Sequence, residues 1–168
     1  MHHHVYCVVL VLFLEIFLGK CYTLRRIWKI MKMEEIIMAE LTAKQRKECL
    51  YAQQGELDAV LMYQELAKVV KDPKDAETFK QLAAEEGRHA SVFHELTQEV
   101  LKPKKTKAVA VPMMYKICGK KFLYPIIANQ EYAAAKKYEP VVKEFPQVES
   151  VMNDETRHGD IVMSLLNK

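Results

Sequence analysis

Glu86-Gly87-Arg88-His89 and Glu155-Thr156-Arg157-His158 are two copies of Glu-x-x-His. On a helix, residues three apart lie on one face, so each copy aims a carboxylate and an imidazole the same way. Each copy is preceded by another glutamate with a tyrosine seven residues later: Glu56 with Tyr63, and Glu131 with Tyr138. The chain therefore carries one unit twice, in the order Glu, Tyr, turn, Glu-x-x-His. A fold that accepts this pattern has to bring several helices together around four carboxylates and two imidazoles.

Hydrophobic spacing supplies those helices. Thr42-x-x-Gln45 is a capping-box pattern and predicts a first helix from Thr42 to about Lys71. Its apolar seam runs Cys49, Ala52, Glu56, Ala59, Tyr63, Leu66, Val70. Asp72 as N-cap and Pro73 as first residue predict a second helix to about Leu101, with the seam Phe79, Leu82, Glu86, His89, Phe93, Leu96, Val100. A third seam reads Tyr124, Ile127, Glu131, Ala134, Tyr138, Val141, Phe145, and a fourth reads Val148, Val151, Glu155, His158, Val162, Leu165. Alternating steps of three and four are the period of a helix packed in a bundle. Glu65, His94 and Glu95 fall off the seams and read as surface residues.

Six ligand-type residues thus occupy core positions on four separately derived seams. An unpaired buried carboxylate costs several kcal/mol, and a metal ion is the natural partner. Two Glu plus two Glu-x-x-His is the ligand inventory of a dinuclear carboxylate site in a four-helix bundle. Carboxylates with imidazoles suit iron or manganese, whereas a copper site or an iron–sulfur cluster would call for thiolates.

The connections are less regular. The link between the second and third helices must run the length of the bundle. It is read as extended over residues 102–111, followed by a short helix over 112–120. Gly119 and Pro125 are read as breaks, with Pro125 in the first turn of the third helix. Pro140 is expected to kink that helix or end it early. The register of the last hairpin is uneven: counted from Pro146, the distance back to Glu131 exceeds the distance on to Glu155 by about 6 residues, or ~9 Å of helix.

Composition narrows the rest. With 168 residues, half of them hydrophobic, the chain can bury a sizeable core, and five glycines and six prolines favour long helices. A net charge of +3 gives no ground for nucleic-acid binding. Lys102 to Lys107 form a local cluster of the kind that usually marks a solvated loop. Four cysteines without Cys-x-x-Cys spacing exclude a rubredoxin-type or zinc-ribbon site and point to a reducing compartment, the cytoplasm. Residues 1–38 are read as an extension, apolar over Val5–Leu18 and then basic. That run is too short for a comfortable span, and the extension is expected to be disordered or spurious, since Met31, Met33 and Met38 are alternative starts. Any membrane contact is expected only there, with the bundle domain at 39–168.

From Leu41 to Leu166 the chain resembles the ferritin-like superfamily and, within it, the rubrerythrin di-iron domain. Phe145-Pro146-Gln147 and Asp154-Glu155-Thr156-Arg157-His158 are most similar to the rubrerythrin-type domains that precede a membrane iron-transporter module. The resemblance implies an all-α, ferritin-like antiparallel four-helix bundle with a long crossover between helices two and three. It implies two iron ions per chain, with manganese as the alternative. Glu86 and Glu155 would bridge them; Glu56 and His89 would complete one site, and Glu131 and His158 the other. It further implies reduction of hydrogen peroxide or O₂, with Glu86, Glu155, Tyr63 and Tyr138 as the expected catalytic groups and a homodimer as the assembly. Tyr63 and Tyr138 read equally well as partners of the carboxylates or as plain core aromatics. Lacking a rubredoxin domain, the chain would draw electrons from an external donor such as rubredoxin. The extra glutamate that rubrerythrins carry three residues from the third-helix ligand is missing, because Ala128 and Ala134 hold both such positions. Ferroxidase, storage or iron-delivery activity, or a helical module with a structural metal pair, are the competing expectations.

Overall fold

The computed structural model describes residues 41–167, and the expectations for the N-terminal extension lie outside the described residues. Helix α1 spans Ala43–Ala67, α2 Pro73–Thr97, α3 Lys105–Cys118, α4 Lys120–Glu144 and α5 Glu149–Ser164. Short 3-10 turns at Pro146–Val148 and Leu165–Asn167 flank α5, and no strand occurs among the described residues. α1 packs on α2 and α4 on α5, forming two hairpins, while α3 lies along α1 as the crossover. This is the expected all-α, ferritin-like bundle. Among the described residues no helix is long and apolar enough to cross a membrane.

The helix starts follow the sequence closely. Thr42 Oγ1 accepts from the Gln45 N–H at 3.3 Å while Gln45 Oε1 accepts from the Thr42 N–H at 2.8 Å, closing the capping box. Asp72 Oδ1 accepts from the N–H groups of Lys74 and Asp75 at 2.8 and 3.3 Å. The helix ends depart from expectation. α2 stops at Thr97 rather than near Leu101, because Gln98 turns left-handed at φ 55°. The chain beyond it is held by side chains of α1: Gln53 donates to the Glu99 carbonyl at 2.9 Å and Gln54 to the Lys102 carbonyl at 3.1 Å.

Two proline and connector expectations are corrected. The crossover is helical from Lys105 onward, with Pro112 inside it, instead of extended to residue 111. Its N-terminus is fixed from outside, since Asp58 Oδ1 accepts from the Lys104 N–H at 2.7 Å. Gly119, at φ 73°, does break the chain between α3 and α4. Pro125 and Pro140 do not: both lie within α4, Pro125 past its first turn, and the helix runs on to Glu144. A proline inside a helix costs about 3 kcal/mol. α4 offsets that by burying Leu123, Tyr124, Ile127, Ala128 and Tyr138, at roughly 1.5–3 kcal/mol for each large side chain.

Two apolar clusters fill the interior. One gathers Tyr63, Leu66, Phe79, Leu82, Tyr124, Ile127 and Val162; the other gathers Cys49, Ala52, Phe93, Tyr138, Val148 and Val151. Along every helix of the two hairpins, the Glu and His seam positions fall between these clusters. The bundle is therefore apolar at both ends of its core and polar in the middle. The uneven register of the second hairpin does not keep its carboxylates apart: Glu131 and Glu155 lie close enough to perturb one another's ionisation. The turn at Pro146–Val148 takes up part of the offset, because a 3-10 residue rises about 2.0 Å against about 1.5 Å in an α-helix.

Close approach of α4 and α5 depends on Gly159. A Cβ there would stand 2.3 Å from Cε1 of Tyr132, whose hydroxyl donates to Asp160 at 2.8 Å. Gly159→Ala should displace that ring, break its hydrogen bond and cost about 1–3 kcal/mol. Gly55→Ala, where nothing stands within 4 Å of the new methyl, should instead stabilise α1 by up to ~1 kcal/mol. Thermal denaturation of the two variants side by side checks the contrast, and equal midpoints would contradict it.

Candidate metal centre

α1 supplies Glu56, α2 Glu86 and His89, α4 Glu131, and α5 Glu155 and His158, and all six are buried. One ligand atom each from Glu86, His89, Glu155 and His158 fall within 4.8 Å of one another. The Glu86 carboxylate spans both imidazoles: Oε1 lies 3.1 Å from His158 Nδ1 and Oε2 3.2 Å from His89 Nδ1. The two rings stack at 5.3 Å between centroids. Glu155 Oε1 lies 3.0 Å from His89 Nδ1, yet no donor is aimed along a hydrogen-bond direction at this buried oxygen.

Glu56 and Glu131 close the layer from the other two helices. Glu56 lies beside Glu86, and Glu131 beside Glu155, close enough for the members of each pair to perturb one another's ionisation. The tyrosine hydroxyls reach across the hairpins: Tyr138 donates to Glu56, and Tyr63 donates to Glu131. Each Glu–Tyr spacing in the sequence thus pairs with its counterpart in the other half. Of the two readings open for these tyrosines, hydrogen-bonding to the carboxylates is the one the contacts match.

A further layer was not singled out from the sequence. His89 Nε2 lies 3.2 Å from Asp154 Oδ2, and His158 Nε2 lies 2.7 Å from Glu85 Oε2. Arg157 joins the two acids, at 2.6 Å from Glu85 and 2.8 Å from Asp154. The signal was present: an acid stands immediately before each Glu-x-x-His, and an arginine stands inside each. The acid of one copy holds the imidazole of the other. Such outer partners fix the ring orientation and tautomer and leave Nδ1 facing the centre.

The charges in this layer are mutually dependent. Burial pushes the Glu86 carboxyl up, but hydrogen bonds from His158, His89 and Glu56 outweigh it and hold it at about 2. Burial works against the His89 imidazolium, yet Glu155 and Glu86 raise it to about 10. His158 is raised against burial by Glu86 and Glu85. Glu56 and Glu131 are raised well above the carboxylate range, by burial first and then by the charges of Glu155 and Glu86. In the metal-free layer these shifts favour protons on both imidazoles and on Glu56 and Glu131. Oxygen and nitrogen donors, inward Nδ1 atoms and an oxygen without a donor together fit divalent cations.

A pH dependence follows. In the metal-free protein the stabilisation from His89 is complete below its ordinary 6.5 and is lost as pH rises through about 10. The stabilisation from Glu86 is present above its ordinary 4.5 and is lost as pH falls through about 2. Glu56 and Glu131, raised by burial, add to the loss on the alkaline side. The denaturation midpoint measured in chelator should be lower at pH 9 than at pH 6. Loading two divalent ions near neutral pH should displace about four protons, countable by calorimetry in buffers of different ionisation enthalpy. Release of fewer than two would show that the carboxyls are already ionised before the metal arrives.

The rubrerythrin family profile matches residues 49–166, well over half of the chain and every residue of this centre. No curated protein and no solved structure matches the chain. A Glu, Glu-x-x-His, Glu, Glu-x-x-His order gathered into one buried layer, within a span that matches this family throughout, places the chain in the rubrerythrin family.

Proposed function

We propose that the centre holds two iron ions per chain and that the protein is a di-iron oxidoreductase reducing hydrogen peroxide. The observation that carries this reading is the Glu86 carboxylate, whose two oxygens face the two inward imidazole nitrogens. A carboxylate so placed is set to be shared between two ions. Glu86 and Glu155 would bridge, Glu56 with His89 would complete one site, and Glu131 with His158 the other. Manganese is the alternative metal for the same donors.

When bound, the iron pair supplies two electrons to the O–O bond of the peroxide, one from each metal. The chain's own groups do the positioning. Asp154 and Glu85 hold the outer imidazole nitrogens, and Tyr63 and Tyr138 hold Glu131 and Glu56 in place. Phe79, Leu82, Phe93 and Ile127, none more than 2% exposed, keep bulk water out. Electrons would come from an external carrier such as rubredoxin, the donor that the family resemblance implies. A homodimer in the cytoplasm remains the proposed setting.

One observation favours a second reading, ferroxidase or iron delivery. Ala128 and Ala134 hold both positions three residues from Glu131, so neither place open to the family's further carboxylate carries one. The likeness to transporter-linked domains points the same way.

Two measurements separate the readings. Glu86→Ala or Glu155→Ala should each lose both metals, measured as metal content per chain; one ion retained tightly would refute the bridging assignment. In stopped-flow, the di-ferrous protein should be oxidised faster by hydrogen peroxide than by O₂, and should turn over only with an added electron carrier. Faster oxidation by O₂, with many irons deposited per chain on repeated Fe(II) addition, would replace peroxide reduction with iron storage. No spectral change with either oxidant would make the metal structural.

A further inference from the structure

From Leu101 to Gln130 the chain has seven lysines and no acidic residue, although its net charge is only +3. Lys120 is engaged, 3.6 Å from Asp75 and bonded to the Leu165 carbonyl. Lys102, Lys104, Lys105, Lys107, Lys116 and Lys121 are exposed, and none forms an ion pair among the described residues. The same stretch concentrates exposed apolar side chains. Val109, Met113 and Ile117 stand 64%, 57% and 74% exposed at intervals of one helical turn on α3, and Phe122 follows at 54%. The opposite face of α3, with Ala108, Pro112 and Tyr115, is buried. The outer face of the crossover is thus an apolar strip between lysines.

Beneath that face begins a run of aromatic rings. Tyr115 stacks on Tyr124 at 6.2 Å between centroids, Tyr124 meets Phe79 edge-on at 5.3 Å, and Phe79 stacks on Tyr63 at 5.6 Å. Tyr63 donates to Glu131 in the metal centre. The run passes through α3, α4, α2 and α1 in turn and links the underside of the lysine-rimmed face to the buried carboxylates.

We propose that the outer face of α3 docks an acidic one-electron carrier protein, and that the ring sequence Tyr115, Tyr124, Phe79, Tyr63 is the path by which its electrons reach the centre. This rests on the peroxide-reduction reading, which requires an external reductant. Each peroxide takes up two electrons and two protons to give two waters, and the carrier supplies the electrons singly, being oxidised in turn. An apolar patch bordered by unpaired charge suits a brief, electrostatically steered encounter. Six unpaired lysines per copy disfavour a second copy of this chain as the occupant. Aromatic rings in contact couple a donor to a buried acceptor far better than solvent does.

The probe is a rubredoxin of net negative charge. Added to the isotope-labelled, metal-free full chain, it should shift amide resonances within residues 102–122, and added salt should weaken binding. Lys107→Glu with Lys116→Glu should weaken it about tenfold or more at low ionic strength. In the iron-loaded protein oxidised by peroxide, the same pair should slow re-reduction by the carrier by a similar factor and leave reduction by dithionite unchanged. Phe79→Leu should slow re-reduction at saturating carrier without changing carrier affinity or metal content; if that variant does not fold, Tyr115→Leu reads the same step. Shifts elsewhere on the chain, no binding, or equal loss with carrier and dithionite would overturn the docking assignment. So would binding to phosphatidylglycerol vesicles, abolished by the lysine reversals, in the absence of carrier binding; that result would make the face a lipid contact. Unchanged re-reduction in both ring variants would overturn the path. If peroxide fails to oxidise the centre, the functional reading falls, while the resonance titration still decides the docking face.

Discussion

One carboxylate between two imidazoles, sealed in an apolar core, sets the terms for the rest of this molecule. Glu86 is 0% exposed and held ionised at neutral pH by His89 and His158. A charge in that position is tolerated only while its partners stay in place. Those partners come from both hairpins, and the acids that steady them also come from both. The bundle cannot close without assembling the site, and the site cannot relax without opening the bundle. The two apolar clusters on either side supply the burial that keeps this polar layer closed.

Much of this was legible in the sequence because helical period and ligand chemistry point to the same positions. Glu56, Glu86, His89, Glu131, Glu155 and His158 each interrupt an apolar seam, and all six are buried together. Thr42 and Asp72 announced their helix starts because capping is a local matter of side chain and nearby N–H. What was not legible was decided by contacts distant in sequence. α2 ends at Thr97, and α3 begins at Lys105, where Gln53, Gln54 and Asp58 of α1 hold the connecting backbone. Local propensity carries no record of those partners. Pro125 misled for the same reason: the burial along α4 outweighs its preference to stop a helix, and carries the helix through Pro140 as well.

The outer acids show a different kind of omission. Glu85 and Asp154 stand one residue outside the seams, so a search by seam passes over them. Their role depends on the crossing of two helices, which no single-helix pattern contains. Once the hairpins face each other, the doubled acid-Glu-x-Arg-His pattern has a geometric meaning: each copy completes the other.

Cys49, buried at 1% exposure in the cluster around Phe93 and Tyr138, bears on the chemical durability of the molecule. Burial, together with the charges of Glu48 and Glu144, pushes its thiol up to about 11. Thiolate, not thiol, is the form that attacks hydroperoxides. Sulfur placed this way stays almost wholly protonated at neutral pH and is a poor nucleophile toward any oxidant that reaches the core. The same low-dielectric packing that raises Glu56 and Glu131 also passivates the one thiol seen in the described core.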